Sequence, residues 1–173
     1  MRNVTPVTFR DEARPEDPQN VRRIVRETGF FYPHEVEVAV ELVGERLSRG
    51  ASSGYSFLFA EDAGRLVGYT CFGPIACTRW SYDLFWIVVG KDRRGRGLGR
   101  DLLARTEEAI AAMGGRRVYT ETSSRDLYAP TRGFYLKCGY RQDAILEDFY
   151  GPGDGKVIYV KELTGSPVAG EDA

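Results

Sequence analysis

The sequence predicts an α/β fold of the α+β kind: a mixed, largely antiparallel sheet with helices on its faces. Three observations carry this. Strand-like and helix-like segments follow in the order β-α-α-β-β-β-α-β-α-β-β along the 173 residues. Two strand-like runs between residues 55 and 72 are joined by the hairpin turn Asp62-Ala63-Gly64, which starts the sheet antiparallel rather than as a purely parallel doubly wound sheet. An apolar strand then leads through a glycine-rich turn into an amphipathic helix.

Residues 5–10 read as a first short strand. Asp17-Pro18 reads as an N-cap with proline in the first turn, and Val21, Ile24, Val25 and Thr28 fall on one helical face before Gly29 stops the helix. A second helix opens near Pro33. It carries Val36, Val40, Val43 and Leu47 on one stripe, acidic residues early, Arg46 and Arg49 late, and Gly50 after it. Tyr55–Ala60 and Leu66–Phe72 are the hairpin strands, and Asp83–Val89 is the buried strand, apolar apart from its first residue. The next helix, about Leu98 to Met113, turns Leu98, Leu102, Leu103, Ile110 and Met113 inward and Arg100, Asp101, Arg105, Glu107 and Glu108 outward. Gly114-Gly115 ends it, and Arg117–Thr122 is a strand. A short helix covers Thr131 to Cys138, with Pro130 expected to shorten it from its start. Closing strands near 140–146 and 156–163 flank the turn-rich stretch from Gly151 to Gly155. Nothing divides the chain, so residues 1–163 are expected to form a single domain, and the small, polar tail 164–173 is expected to be disordered.

Composition narrows the function. A formal net charge of −1 argues against nucleic-acid binding driven by overall charge. Three cysteines without CxxC spacing and one histidine argue against a Cys/His zinc site, so no metal is expected. The odd cysteine count and the lack of a signal-like N-terminus suggest a cytoplasmic protein, and no apolar run approaches a membrane span.

The chemistry concentrates at Arg94-Gly95-Arg96-Gly97-Leu98-Gly99. Glycines between a strand and a helix let a ligand approach the backbone, and the first amides of the helix lack intrahelical partners. With the helix dipole this makes an anion site suited to a phosphate or pyrophosphate. A Walker A loop is excluded because Lys-Ser/Thr is missing, and the spacing fits a dinucleotide fingerprint poorly.

The turn does meet the pattern Arg/Gln-x-x-Gly-x-Gly/Ala. A second motif follows at Phe134-Tyr135-Leu136-Lys137-Cys138-Gly139-Tyr140, of the form apolar-Tyr-x-x-x-Gly-aromatic. On these two motifs and the element order, about Val7 to Leu163 resembles the GNAT superfamily of acyl-CoA-dependent N-acyltransferases. The resemblance implies a sheet splayed between its fourth and fifth strands, and acetyl-CoA as cosubstrate. Its pyrophosphate would rest on Arg94, Gly95, Arg96, Gly97, Leu98 and Gly99 with the Arg100 amide, and its pantetheine arm would pair with Ile87, Val88 and Val89. It implies direct attack by an acceptor amine in a ternary complex, with Tyr135 as the acid that protonates the leaving thiolate. The plainer reading of Tyr135 is a packed aromatic.

Asp83, eleven residues before Arg94, stands where several GNAT enzymes carry a catalytic glutamate. By period-two alternation it shares a face with Phe85, Ile87 and Val89, which would raise its pKa as a base requires; equally, it could start the strand and point to solvent. Where many relatives hold the cofactor with an asparagine, seven residues before the tyrosine, this chain has Tyr128, which could touch CoA or acceptor instead. Cys138 reads as a packing residue rather than an acyl carrier. The acceptor, a small-molecule or peptide amine, is expected among Phe30, Phe31, Tyr32, His34, Trp80, Tyr82, Asp148, Phe149 and Tyr150, a list that also describes core packing. Two rival readings are a degenerate acyl-CoA-binding module acting as sensor or partner, and a nucleotide-binding or structural α/β domain. A homodimer is frequent in the family; no interface is legible.

Overall fold

The computed structural model describes residues 6–163. Seven strands and four helices follow in the order expected: β1 (Thr8–Arg10), α1 (Asp17–Thr28), α2 (Pro33–Arg49), β2 (Ser56–Asp62), β3 (Arg65–Pro74), β4 (Ser81–Val89), α3 (Leu98–Ala112), β5 (Arg117–Ser123), α4 (Ala129–Lys137), β6 (Arg141–Gly151) and β7 (Asp154–Glu162). They form one sheet in the order β1-β2-β3-β4-β5-β7-β6. Every pairing is antiparallel except β4 with β5. Thr5, read as the start of the first strand, and the tail 164–173, read as disordered, lie outside the described residues.

Helices α1 and α2 cover one face, where Val21, Ile24, Val25, Val36 and Val43 pack on Phe57, Phe59, Tyr69, Cys71 and Val88. Helices α3 and α4 cover the other. There Leu103, Ile110 and Tyr135 pack with Leu84, Val118, Val157 and Tyr159, and Leu98 and Leu102 pack with Ala60 and Val67. β3, central and buried over eight consecutive residues, receives helices on both sides.

Several expectations are corrected. Asp17 is not the N-cap; it lies in the first turn of α1, fully buried, and its carboxylate accepts from the Arg10 guanidinium at 2.5 Å and from the Arg14 amide at 2.7 Å. The pair ties β1 to α1, so the carboxylate is used for tertiary anchoring rather than capping. Asp17→Ala leaves the Arg10 guanidinium with Glu61 alone as carboxylate partner, at 2.8 Å, and is expected to cost about 1.5–3 kcal/mol, read as a lower urea midpoint at unchanged slope. Leu47, in the last turn of α2, and Met113, the C-cap residue after α3, are exposed rather than inward. Glu107, read as outward, turns in to meet Lys161 of β7 at 2.7 Å. Pro130 does not shorten α4: proline fits the first turn, where its missing N–H costs nothing, and the helix begins ahead of it at Ala129.

The largest departure is a β-bulge. Cys71 pairs with Trp86 and Phe72 with Leu84, so Phe85 is an extra residue on β4. Alternation slips by one there. Leu84 shares the α3/α4 face with Ile87 and Val89, whereas Asp83, paired with Gly73, lies on the α1/α2 face with Trp86 and Val88. The period-two expectation that Asp83 sits on the face of Ile87 and Val89 is thereby overturned.

Candidate active site

β4 and β5 pair only over Ser81–Asp83 and Arg117–Tyr119. Beyond that the strands part. β4 bends away at its bulge, while β5 continues along β7 through Ser123. From Leu84 to Val89 the edge of β4 facing β5 has no strand partner. The gap opens into a cleft of about 1310 Å³ whose walls include Ile87, Val88 and Val89 on one side and Thr120 to Ser123 on the other.

The glycine turn closes one end. Gly95 and Gly97 are left-handed, at φ of 70° and 87°, and nothing lies within 4 Å of where their Cβ atoms would be. Gly97 occupies the N-cap of α3, and no side chain caps the helix. Its first amides therefore face the cleft unsatisfied. Arg94 and Arg100 also line the cleft; the Arg94 guanidinium stands 4.9 Å from the centre of the Phe30 ring. Gly99 faces α4, where a Cβ would meet the Phe134 ring at an ordinary van der Waals distance of 3.5 Å. Arg96 is exposed and the Leu98 side chain is buried in the core, so these two residues offer the cleft backbone only. A loop of open amides with two arginines beside it suits a diphosphate, and the unpaired strand edge suits an extended amide-bearing arm. The residues thus fit a CoA thioester.

Tyr135 lies on the α3/α4 side of the gap, 3 % exposed, packed against Tyr140 and Tyr159 with ring centres 5.5 and 5.8 Å away. Burial pushes its phenol up to about 12, partly offset by a hydrogen bond with the Thr120 hydroxyl. It stays protonated at neutral pH.

Asp83 does not line the large cleft. It lines an adjoining cavity of about 280 Å³ with Ile75, Thr78, Ser81, Tyr119, Thr120, Glu121 and Ile158. Thr120 and Glu121 belong to both spaces and join them. Burial raises the Asp83 pKa, the Glu121 charge raises it further, and Lys156 pulls it back. Glu121 itself is paired with Lys156 at 2.8 Å.

Tyr128 lines the cleft at the start of α4, and its hydroxyl donates to the Phe30 carbonyl at 3.4 Å, linking the β5–α4 connection to the α1–α2 connection. Phe30, Phe31, Tyr32, His34 and Tyr150 also line the cleft. Trp80, Tyr82, Asp148 and Phe149 line neither space. Trp80 stacks under Arg79 and Arg116, Tyr82 reaches the Met113 carbonyl, and Asp148 accepts from Gly153 inside the β6–β7 hairpin. Cys138 lines neither space.

Sequence reasoning missed Thr120, Glu121 and Arg125. Glu121 was legible as a lone acid in a strand whose alternate positions, Val118, Thr120 and Thr122, are buried. Arg125 carried no such signal, because its partners come from two segments distant in sequence: its guanidinium donates to the Tyr32 hydroxyl at 3.0 Å and meets Asp154 at 3.1 Å.

A sheet parted between two parallel strands, with an uncapped glycine turn at one end of the gap, defines the acyltransferase architecture that the motifs resemble. The model of the acetyltransferase (GNAT) family matches residues 19–140, and the chain belongs to that family. A Desulfovibrio desulfuricans protein assigned to the GNAT family in its crystal structure is 46 % identical, with a TM-score of 0.91, over 92 % of this chain and 100 % of that one. An aminoglycoside 6'-N-acetyltransferase complexed with coenzyme A shares the fold at 22 % identity and a TM-score of 0.75, over 94 % of this chain and 99 % of its own. The ribosomal-protein-S18-alanine N-acetyltransferase of Escherichia coli does so at 18 % and 0.73, over 97 % and 99 %. Among curated proteins, none matches the chain by sequence. No helix among the described residues is long and apolar enough to cross a membrane.

Proposed function

We propose that this chain transfers the acetyl group of acetyl-CoA to a primary amine by direct attack in a ternary complex. The observation that carries the reading is the unpaired β4 edge beside the uncapped glycine turn, with Tyr135 in the wall of that cleft and Asp83 in the cavity that adjoins it through Thr120 and Glu121. Tyr135 stands on the α3/α4 side and Asp83 on the α1/α2 side. The turn from Arg94 to Gly99, with the Arg100 amide, holds the pyrophosphate, and the free edge at Ile87, Val88 and Val89 holds the pantetheine arm. Tyr128 acts as a wall of the acceptor side rather than as a cofactor ligand, since its hydroxyl is spent on the Phe30 carbonyl.

Asp83, with Glu121 beside it, takes one proton from the acceptor ammonium. The freed nitrogen lone pair forms a bond to the thioester carbonyl carbon, and the tetrahedral adduct collapses with cleavage of the carbon–sulfur bond. Tyr135 gives its proton to the departing sulfur and is reprotonated with the proton that the nitrogen sheds on becoming an amide. Enforced proximity supplies much of the acceleration.

Isothermal titration with acetyl-CoA tests the binding half; saturable 1:1 binding is expected. Thiol release on adding an amine panel tests the transfer half. Saturable binding with no thiol released by any amine would leave a binding module instead of an enzyme. Nucleotide competition without CoA competition would remove both halves.

The base assignment makes its own prediction. If Asp83 takes the proton, kcat/KM climbs with pH through an Asp83 value raised by burial and by Glu121. Glu121→Gln removes a negative neighbour and shifts the climb to lower pH; Lys156→Met removes a positive one and shifts it to higher pH. A profile unmoved in both variants means that the proton goes elsewhere.

A further inference from the structure

The cavity beside the cleft has a composition that the transfer reaction alone does not explain. It measures about 280 Å³, room for about nine atoms of water size at ~30 Å³ each. Ile75, Tyr119 and Ile158 give it apolar walls. Asp83, half-buried in its wall, makes no hydrogen bond or ion pair among the described residues. Glu121 is already matched by Lys156 at 2.8 Å, and that lysine is held further by the Phe149 ring, 3.9 Å from its Nζ. Lys156, outside the lining, offsets the largely exposed Glu121 and leaves Asp83 as the unmatched charge facing a cavity walled by Ile75, Tyr119 and Ile158 and by the hydroxyl-bearing Thr78, Ser81 and Thr120. A cation that enters the cavity gains an ion pair with this carboxylate, which has no protein partner to compete for it.

Two joins tie the α1–α2 connection to the β5–α4 connection, and all four residues line the cleft. One is the Arg125–Tyr32 hydrogen bond, with Arg125 anchored in turn on Asp154 of β7; the other is the Tyr128–Phe30 hydrogen bond. The backbone under Arg125 is itself fixed, because Arg132 donates to the Ser123 and Arg125 carbonyls at 2.8 Å. An acceptor laid across the cleft as an extended polypeptide would have to break these joins. One that enters the small cavity end-on would not.

We infer that the acceptor is a small amine bearing one positive charge and a short apolar body, its ammonium on Asp83 and its body between Ile75, Tyr119 and Ile158. The inference rests on the acyl-transfer reading above and narrows it. A free α-amino acid fits worse, because its carboxylate would enter a space that already holds an excess negative charge. A peptide N-terminus fits worse because of its length and the joined connections. A diamine gains nothing from its second charge while Lys156 neutralises Glu121.

The test uses the unmodified chain saturated with acetyl-CoA, reading thiol release with isopentylamine, leucine, a leucine-initiated tetrapeptide and putrescine. Isopentylamine is expected to exceed leucine and the tetrapeptide in kcat/KM by at least about tenfold, since like charges and a clash each cost more than that factor requires. Lys156→Met, which leaves both carboxylates free, is expected to raise putrescine relative to isopentylamine severalfold. Leucine or the tetrapeptide matching isopentylamine overturns the inference, as does an unchanged putrescine ratio in the variant. The same four probes are followed by saturation-transfer NMR on the CoA-saturated protein. Isopentylamine binding with no thiol release from any acceptor keeps the pocket and sinks the transfer reading; CoA binding with no isopentylamine binding sinks the pocket alone.

Discussion

Tyr135→Phe lowers kcat about a hundredfold, the low end of what a positioned proton donor contributes, while the dissociation constant of acetyl-CoA moves less than about twofold. The split follows from what the side chain does. Its ring is core, packed between Tyr140 and Tyr159, and a phenylalanine ring refills that space. Only the hydroxyl is lost, together with its hydrogen bond to Thr120. A phenol pushed up to about 12 is a reluctant donor to a thiolate in water. At this gap the same burial that raises the phenol also raises the sulfur being expelled, so the difference in proton affinity narrows as the carbon–sulfur bond lengthens. The rate loss belongs to the chemical step, so single-turnover thiol release with preloaded acetyl-CoA is the decisive reading. A kcat unchanged in that assay removes Tyr135 from proton transfer and leaves it as packing. A large rise in the acetyl-CoA dissociation constant would instead place its hydroxyl in cofactor binding.

The element order and the two motifs were legible because each is written locally. The strand-like runs at 55–60 and 66–72, the turn Asp62-Ala63-Gly64 between them, and glycines that accept left-handed backbone at 95 and 97 are properties of adjacent residues. What stayed hidden depends on register between distant strands. Nothing in Asp83-Leu84-Phe85-Trp86 announces that Phe85 will be squeezed out of the ladder opposite Cys71 and Phe72, yet that one residue decides which face Asp83 serves. Asp83 is the odd charge in an apolar strand, but period-two alternation alone puts it on the wrong face of the sheet, off by half a period. Glu121 and Lys156 acquire meaning only when β5 and β7 lie side by side, which pairs Glu121 with Ile158 and brings Lys156 within reach. Tyr128 looked like a lost cofactor ligand because sequence spacing gives a position but not a partner; the partner, the Phe30 carbonyl, is 98 residues away along the chain.

The bulge also accounts for why the gap forms at this point. A regular β4 would continue its parallel pairing with β5 beyond Asp83, and its backbone groups would be consumed by the sheet. An extra residue bends the strand and raises its local twist, so the ladder with β5 stops after three pairs while the ladder with β3 resumes on the far side. One local irregularity thus frees the strand edge, opens the cleft, and turns the unpaired carboxylate toward the opposite side of the sheet from Tyr135.

Gly97→Ala separates the anion site from the rest of the fold. The position has φ of 87°, and a Cβ built there meets nothing within 4 Å, so the added methyl clashes with no part of the protein. Its cost to stability is the left-handed backbone alone, about 1–2 kcal/mol. Its cost to binding is larger, because the methyl stands at the N-cap of α3 beside the amides that have no side-chain cap. A pyrophosphate held off those amides loses at least one hydrogen bond to a charged group, about 1.5–3 kcal/mol, which corresponds to a roughly tenfold to hundredfold weaker acetyl-CoA affinity. Titration calorimetry gives the affinity and a thermal melt gives the stability, on the same preparation. The expected result is a modest fall in melting temperature with a large rise in the dissociation constant, and a KM for acetyl-CoA that rises in step while kcat at saturation holds. Arg96→Ala is the control: its exposed side chain lines neither space, so affinity should fall only by the loss of a solvent-screened charge. Equal losses in the two variants would mean that general positive charge, rather than the open backbone of the turn, holds the diphosphate.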